Sequence, residues 1–449
     1  MRQFRPVSRL YRSWRAVQSP CEEGRRMKSR YRGATYSARS EGYALIEPPI
    51  GRAATTPTVK RTPLLCPDKR MLVLSLVLCG LSLIFLFSVN IGEVLKSQPS
   101  ATSPFQLFRL AIMQAIGVSV GLITMVLTAM IPSQFWQRTA SIWIVLCVGV
   151  LALVHFTSLG HAFHGAERWI RVPVPILGAL TVQPSEAFKL ATLIWFSALY
   201  ATAPNRRWKP TTFLILGIWL AGVLLVERQP DLGTAGLIFA IGVGVAFLGG
   251  ASLARMGLLL LIGLVGMTLL ILLPYGRSHL SGTPLETQRT AYRLQRIKVM
   301  LDPWSDAQGV GYQMVRAQLA VGNGGLTGLG LGMGREKRFL PAVESDYIFA
   351  AIAEETGFIG AVAVIGPLGG VVLACFQRAL CAPTRFGRLF VGGLALWVAL
   401  SALINIGMAL GLLPTVGLPL PFLSAGGSAL VSLMAGIGMA QSVARECRQ

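Results

Sequence analysis

Ten apolar runs, each about twenty residues long, constrain this chain more than anything else in it. They lie near 71–90, 108–131, 140–159, 184–202, 211–227, 232–250, 256–274, 347–376, 388–412 and 426–444. A helix of roughly 20 residues crosses the ~30 Å hydrocarbon core of a bilayer. In lipid a helix also satisfies its own backbone polar groups, which irregular chain cannot do. The runs predict an all-α polytopic membrane protein of about ten transmembrane helices. Composition supports this: 13% of the 449 residues are charged, against about 25% in soluble domains. The 49 glycines suit helices that approach closely.

A net charge of +22 raises nucleic acid as a partner, but its distribution argues for a membrane instead. Residues 1–70 carry 16 Lys and Arg against 5 Asp and Glu. That stretch reads as a basic, disordered cytoplasmic tail, suited to anionic membrane lipid. The first apolar run begins only at Met71, so no signal peptide is expected. Arg138, Arg206, Arg207, Lys209, Arg255, Arg378, Arg385, Arg388 and Arg445 fall in alternate connections, on the side of the tail. Positive charge marks the cytoplasmic side. Both termini, including 446–449, are then cytoplasmic, and 91–107, 160–183, 228–231, 275–346 and 413–425 face outward. The segment 275–346, between the seventh and eighth runs, is long for a connection, and such segments are usually functional.

The seven cysteines show no paired spacing and the four histidines do not cluster. Neither disulfides nor a metal site of the paired-cysteine kind is expected.

Four outward-facing sequences carry the chemistry. The first is Gly165-Ala166-Glu167-Arg168-Trp169-Ile170, followed by Gln183-Pro184-Ser185-Glu186-Ala187-Phe188-Lys189. Glu186 and Lys189 share a helix face. They are either a functional intramembrane pair or a structural one, at about even weight. In Gln229-Pro230-Asp231-Leu232-Gly233-Thr234, Asp231 reads first as a helix cap. The long segment holds Arg293 and Arg296, then Leu301-Asp302-Pro303-Trp304. It continues with a glycine-rich stretch over 322–330 and Phe339-Leu340-Pro341-Ala342-Val343-Glu344-Ser345-Asp346-Tyr347, leading to Glu354-Glu355. No Gly-Lys-Ser/Thr follows the glycines, so they read as flexible loop rather than a phosphate loop. Asp346, at the mouth of an apolar run, is either a general base or a helix cap. The fourth sequence, Leu413-Pro414-Thr415-Val416-Gly417-Leu418-Pro419-Leu420-Pro421-Phe422 with Ser424-Ala425-Gly426-Gly427-Ser428, is apolar but broken by proline and glycine. It reads as a re-entrant loop lining a cavity.

Taken in order, these motifs resemble the SEDS family (shape, elongation, division and sporulation), the FtsW/RodA group, over about residues 71–445. The resemblance rests on Gly-Ala-x-Arg-Trp, Gln-Pro-Ser-Glu-x-x-Lys, Gln-Pro-Asp-Leu-Gly-Thr, Asp-Tyr-Ile-Phe with Glu-Glu after it, and Leu-Pro-Thr-x-Gly-Leu-Pro-Leu-Pro. Two motifs depart from the family pattern. Ala342 and Glu344 replace its usual glutamate and histidine ahead of the aspartate, and Ala425 replaces its usual tyrosine. Leu301-Asp302-Pro303-Trp304 and Leu413-Pro414-Thr415 look more like the FtsW division branch. Ser428-Ala429-Leu430 and Leu433-Met434-Ala435-Gly436 look more like the RodA branch. The balance leans to division.

The resemblance implies a peptidoglycan glycosyltransferase that joins lipid II units on the outer face of the bacterial inner membrane. It aligns Asp346 with the family's loop aspartate, here the expected base. It aligns Arg168, Trp169, Glu186 and Lys189 with its Arg-Trp and Glu/Lys pairs. With Arg293 and Arg296, these are the expected substrate and pyrophosphate contacts. Glu344, Ser345, Glu355, Asp231, Ser424 and Ser428 are expected to support them. A divalent cation, Mg²⁺ or Mn²⁺, is a candidate aid to the leaving group, with no ligands assigned. The implied partners are a class B penicillin-binding transpeptidase and other divisome or elongasome proteins. Two readings from other classes are a lipid II flippase and a non-catalytic scaffold for the transpeptidase.

Overall fold

The computed structural model describes residues 68–96, 104–157, 160–163, 166–174, 178–202, 210–261 and 299–446, with 263, 266 and 296. The chain divides at 61/62, and every described residue lies in the larger unit, 62–449. The basic tail up to residue 67 and Arg293 lie outside the described residues.

The helices are α1 (Lys69–Lys96), α2 (Pro104–Met130), α3 (Ser133–Phe156), α4 (Pro184–Thr202), α5 (Pro210–Arg228) and α6 (Leu232–Leu248). A helical stretch at 253–261 follows. Then come α7 (Tyr312–Gly324), α8 (Ile348–Cys381), α9 (Arg385–Ala409) and α10 (Gly427–Glu446). Seven of these (α1, α2, α3, α5, α8, α9 and α10) are long and apolar enough to cross a membrane, among the described residues, and α6 is a shorter apolar helix. The expected tail ends two residues early, because α1 starts at Lys69. Asp68 starts that helix: its Oδ1 accepts the Arg70 amide at 3.1 Å, and its other oxygen pairs with Arg378 at the end of α8.

The centre of the bundle is α4, buried almost all round, with Glu186 and Lys189 among its buried residues. It packs against α3, α6, α9 and α10. On the other side α2 runs along α10. There a Cβ on Gly438 would collide with the Met125 carbonyl and Thr128, so glycine permits the contact. Thr128 Oγ1 donates to the Ala435 carbonyl across it at 3.1 Å.

Two connections contain structure that apolar periodicity did not signal. Within 160–183 lies an antiparallel sheet of β1 (Gly160–Phe163), β2 (Ala166–Val174) and β3 (Gly178–Val182), in the order β1-β2-β3. The glycine-rich stretch is the second, and here the flexible-loop expectation is corrected. Gly357 interrupts α8 with φ 67° and ψ −165°, which breaks the helical ladder. The stretch docks into that break. Phe358 N and Ile359 N donate to the carbonyls of Gly325 and Leu326, at 2.9 and 3.2 Å. In return, Leu329 N and Gly330 N donate to the carbonyls of Glu354 and Glu355, at 3.0 and 2.9 Å. A break in a helix leaves backbone groups without ladder partners, and each segment here supplies the other's.

Candidate active site

Asp346 sits one residue before the N-cap of α8, where three segments converge. Its backbone carbonyl accepts Asn405 Nδ2 of α9 at 2.8 Å, and the same amide donates to the Leu418 carbonyl at 2.7 Å. Asn405 is fully buried. Ser424 Oγ donates to the Ser345 carbonyl at 2.5 Å and accepts the Leu420 amide at 2.7 Å. Ala425 N donates to the Glu344 carbonyl at 2.8 Å. The proline- and glycine-broken segment 413–426 is thereby sewn to the backbone of 344–346. Gly417 faces the carboxylate: it holds φ +67°, and a Cβ on it would stand 3.3 Å from Asp346 Oδ2.

Burial pushes the Asp346 carboxyl up to about 6, opposed by a hydrogen bond with Ser345. The negative charges of Asp231 and Glu344 push it further up and Arg296 pulls it down. Desolvation disfavours the charged form of an acid. A carboxylate poised near neutrality is suited to proton transfer.

Asp231 does cap α6, since its Oδ1 accepts the Thr234 amide at 3.1 Å. Its Oδ2 also accepts Gln183 Nε2 at 3.2 Å and stands 3.7 Å from Arg168 Nη1. The capping role is real, and the same side chain carries a charge felt by Asp346. Arg168 projects from β2, donates to the carbonyls of Gln229 and Pro230, and is 27% exposed. Arg296 Nη1 donates to the Thr415 carbonyl at 2.5 Å. Gly233 lets α6 reach the same segment, since a Cβ there would collide with the Val416 carbonyl. Both guanidiniums are thus fastened by backbone carbonyls: Arg296 acts directly on the Asp346 carboxyl, and Arg168 is tied to Asp231.

Glu186 and Lys189 form a separate feature. Lys189 Nζ donates to Glu186 Oε1 at 2.6 Å, with both residues 2% exposed, and lies 5.9 Å from the Trp397 ring centroid. Glu186 Oε2 and Ser185 Oγ are buried with no hydrogen-bond partner. The pair lines a cavity of about 30 Å³ shared with Ser401 and with Pro419–Phe422 and Ser424. It meets the Asp346 site only through that common wall.

Glu354 and Glu355 form a third group, on α8. Lys337 Nζ lies 2.5 Å from Glu355 Oε1, and Ser88 Oγ donates to both Glu355 oxygens at 2.7 and 2.6 Å. Glu354 Oε1 accepts the amides of Arg335 and Glu336 at 2.8 and 2.9 Å. Together they clamp 332–340 between α1 and α8, fixing the approach to Asp346.

Of the sequence candidates, the structure gathers Asp346, Glu344, Ser345, Asp231, Arg168, Arg296 and Ser424. It leaves Trp169 on the opposite face of β2 from Arg168, because strand side chains alternate, with His161 as its cross-strand neighbour. Ser428 ties β3 to α10, accepting Gln183 N at 3.0 Å and donating to Thr181 O at 3.2 Å. Asn405 and Ser88 were missed, and Gly417 lay within the fourth motif with no role of its own. Asn405 carried a usable signal, as a lone amide within an apolar helix.

A divalent cation is not well served by these residues. No group of three or more His, Cys, Asp or Glu that could hold a metal occurs among the described residues. Both Asp231 oxygens are already committed to protein donors.

Comparison with known proteins places the chain as a whole. The family model for FtsW, RodA and SpoVE, described as "Cell cycle protein", matches residues 69–449. Stage V sporulation protein E of Bacillus subtilis is 32% identical over 87% of this chain and 100% of its own length. A probable peptidoglycan glycosyltransferase FtsW of Thiomicrospira cyclica is 34% identical over 84% of this chain and 91% of that protein. The peptidoglycan glycosyltransferase MrdB of Escherichia coli K12 is 35% identical over 73% and 83%. Among solved structures, a chain of a peptidoglycan synthase complex that coordinates polymerization and crosslinking aligns with TM-score 0.64. It is 27% identical over 86% of this chain and 99% of that one. The Thermus thermophilus rod shape determining protein RodA shares the fold, with TM-score 0.58 at 24% identity, over 86% and 99% of the two chains. On the match across 69–449 and these full-length relatives, the chain belongs to the FtsW/RodA/SpoVE family.

Proposed function

We propose that this protein polymerises lipid II into peptidoglycan glycan strands, with Asp346 as the general base. The observation that carries the reading is the placement of Asp346 just ahead of α8: a carboxyl raised to about 6, within reach of Arg296 and of Asp231, the latter paired with Arg168. Relatives named peptidoglycan glycosyltransferase, similar over most of both chains, support it.

In this reaction the Asp346 carboxylate takes the proton of the acceptor sugar's 4-hydroxyl. The freed oxygen pair attacks the anomeric carbon of the donor from the face opposite its pyrophosphate. The carbon–oxygen bond to undecaprenyl pyrophosphate breaks with inversion, giving a β-1,4 link. Base catalysis contributes on the order of 10²–10⁴-fold. Charge stabilisation of the leaving group falls to Arg168 and Arg296, with Arg293 in the same segment.

The orientation follows from positive charge on the loops: ten spans, both termini in the cytoplasm and Asp346 facing outward. A class B transpeptidase is the expected partner, and the structural likeness to a complex that couples polymerization to crosslinking supports it. The division role rests on Leu301–Trp304 and Leu413–Thr415. The flippase reading gains nothing from the Glu186–Lys189 pair, whose cavity of about 30 Å³ takes water rather than a disaccharide headgroup.

The test is polymerisation of labelled lipid II by the purified protein with its transpeptidase, comparing wild type with Asp346→Asn. Long glycan from wild type and none from the variant is the expected result. Equal products from both would remove Asp346 as base and move the scaffold reading forward.

A further inference from the structure

At the end of the bundle away from Asp346, three helices and the stretch 253–261 enclose a groove of about 590 Å³ whose lining is wholly apolar. Val243 and Phe247 of α6, Met256, Phe376 of α8, and Leu396 and Leu400 of α9 line it. That volume lies within the range of ligand sites, about 300–1,000 Å³. The bundle's outer faces are apolar too, as lipid contact requires, but this surface is concave. Its floor is set by Gly244, where a Cβ would collide with Leu396, so α6 and α9 touch along the bottom of the groove.

One end of the groove is basic. On α9 the four-residue spacing Arg388, Gly392, Leu396, Leu400 forms a single stripe. A Cβ on Gly392 would stand 3.4 Å from Leu248 Cδ1, so the stripe runs beside the α6 wall. Arg388 lies one turn past that contact. It is exposed and its guanidinium has no partner among the described residues. Arg385 holds the same end closed against α6, donating to the Gly249 carbonyl at 2.9 Å, and Arg255 precedes the lining Met256. An apolar trough ending in a free guanidinium matches an amphiphile with an anionic head.

We propose that this groove binds an anionic phospholipid, with one acyl chain along the α6–α9 trough and its phosphate against Arg388. In the orientation proposed above, that lipid comes from the cytoplasmic leaflet, the one opposite Asp346. The site joins the two helices that frame the candidate base at their other ends: α6 begins at the Asp231 cap, and α9 carries Asn405. A lipid lying against both helices favours the arrangement that holds them together.

The test uses the full chain in nanodiscs of phosphatidylcholine and phosphatidylglycerol in equal parts, with retained lipid counted by native mass spectrometry. This readout needs no turnover of lipid II, so it stands or falls separately from the polymerase reading. Wild type should retain phosphatidylglycerol in preference. Arg388→Gln, a surface change that leaves the core intact, should cut that preference about fivefold. Val243→Trp should displace retained lipid of either headgroup. Equal retention of the two lipids, or a preference that survives Arg388→Gln, would reduce the groove to ordinary lipid contact and overturn the proposal. Displacement of phosphatidylglycerol by undecaprenyl phosphate, with polymerisation lost in Arg388→Gln, would overturn it in favour of a substrate path.

Discussion

Asp346 and Glu355 lie nine positions apart at the start of the same helix, and their surroundings are opposites. Glu355 is 2% exposed and both its oxygens accept Ser88, with Lys337 at 2.5 Å. Its charge is cancelled where it sits. Asp346 is held by its backbone, through Asn405, while its carboxylate faces Gly417 and feels Asp231 and Glu344 as like charges. A carboxylate given a full set of donors becomes a fastener. One held by its main chain, with its carboxyl buried beside like charges, keeps a raised affinity for a proton. The two should therefore fail differently: one in stability, the other in rate.

The largest expected effect is on rate. Asp346→Asn should lower turnover by on the order of 10²–10⁴-fold with little change in thermal midpoint, read by glycan synthesis and melting of the same preparation. Next in size is Lys337→Met, which strands Glu355 as an unpaired buried charge. Losses of this kind run about 3–5 kcal/mol, seen as a lower melting temperature and reduced yield. Pairing it with Glu355→Leu should recover part of the loss, as apolar replacement of a whole buried pair often does. The same logic applies to the central pair: Lys189→Met alone should destabilise more than Lys189→Met with Glu186→Leu.

A smaller effect should appear in the pH profile. A base must be ionised, so activity should fall as pH drops through about 6, where Asp346 takes up its proton. Asp231 raises that value and Arg296 lowers it. Asp231→Asn should move the acid limb to lower pH, and Arg296→Gln to higher pH. Limbs that stay fixed in both variants would separate these groups from the base. The smallest change is Gly417→Ala. It places a Cβ 3.3 Å from Asp346 Oδ2 at φ +67°, a backbone strain of roughly 1–2 kcal/mol, and it should lower turnover more than stability.

Much of this was legible in the sequence, for physical reasons that vary by region. Helices in lipid must be long and apolar, so runs such as 184–202 and 232–250 match α4 and α6 within two residues. The β1-β2-β3 sheet was hidden because short strands near a membrane surface carry no comparable length requirement. The 322–330 glycines looked flexible because their partners, the carbonyls exposed by the break at Gly357, are supplied by a distant helix. Asp346, Asp231 and Arg168 were legible as charges beside apolar runs. What joins them was not: Asn405 acts through main-chain carbonyls 59 and 13 positions away, and no local pattern encodes that. Asp231 shows that a helix cap can carry other contacts as well: its Oδ1 caps α6 while its Oδ2 meets Gln183 and Arg168.

The most direct test of the contrast is a single side-by-side measurement of lipid II polymerisation and thermal midpoint for Asp346→Asn and Glu355→Gln. The account predicts that Asp346→Asn melts like wild type and makes no long glycan. Glu355→Gln should melt lower yet still polymerise when held below its midpoint. An active Asp346→Asn, or a Glu355→Gln that is stable but inert, would contradict it.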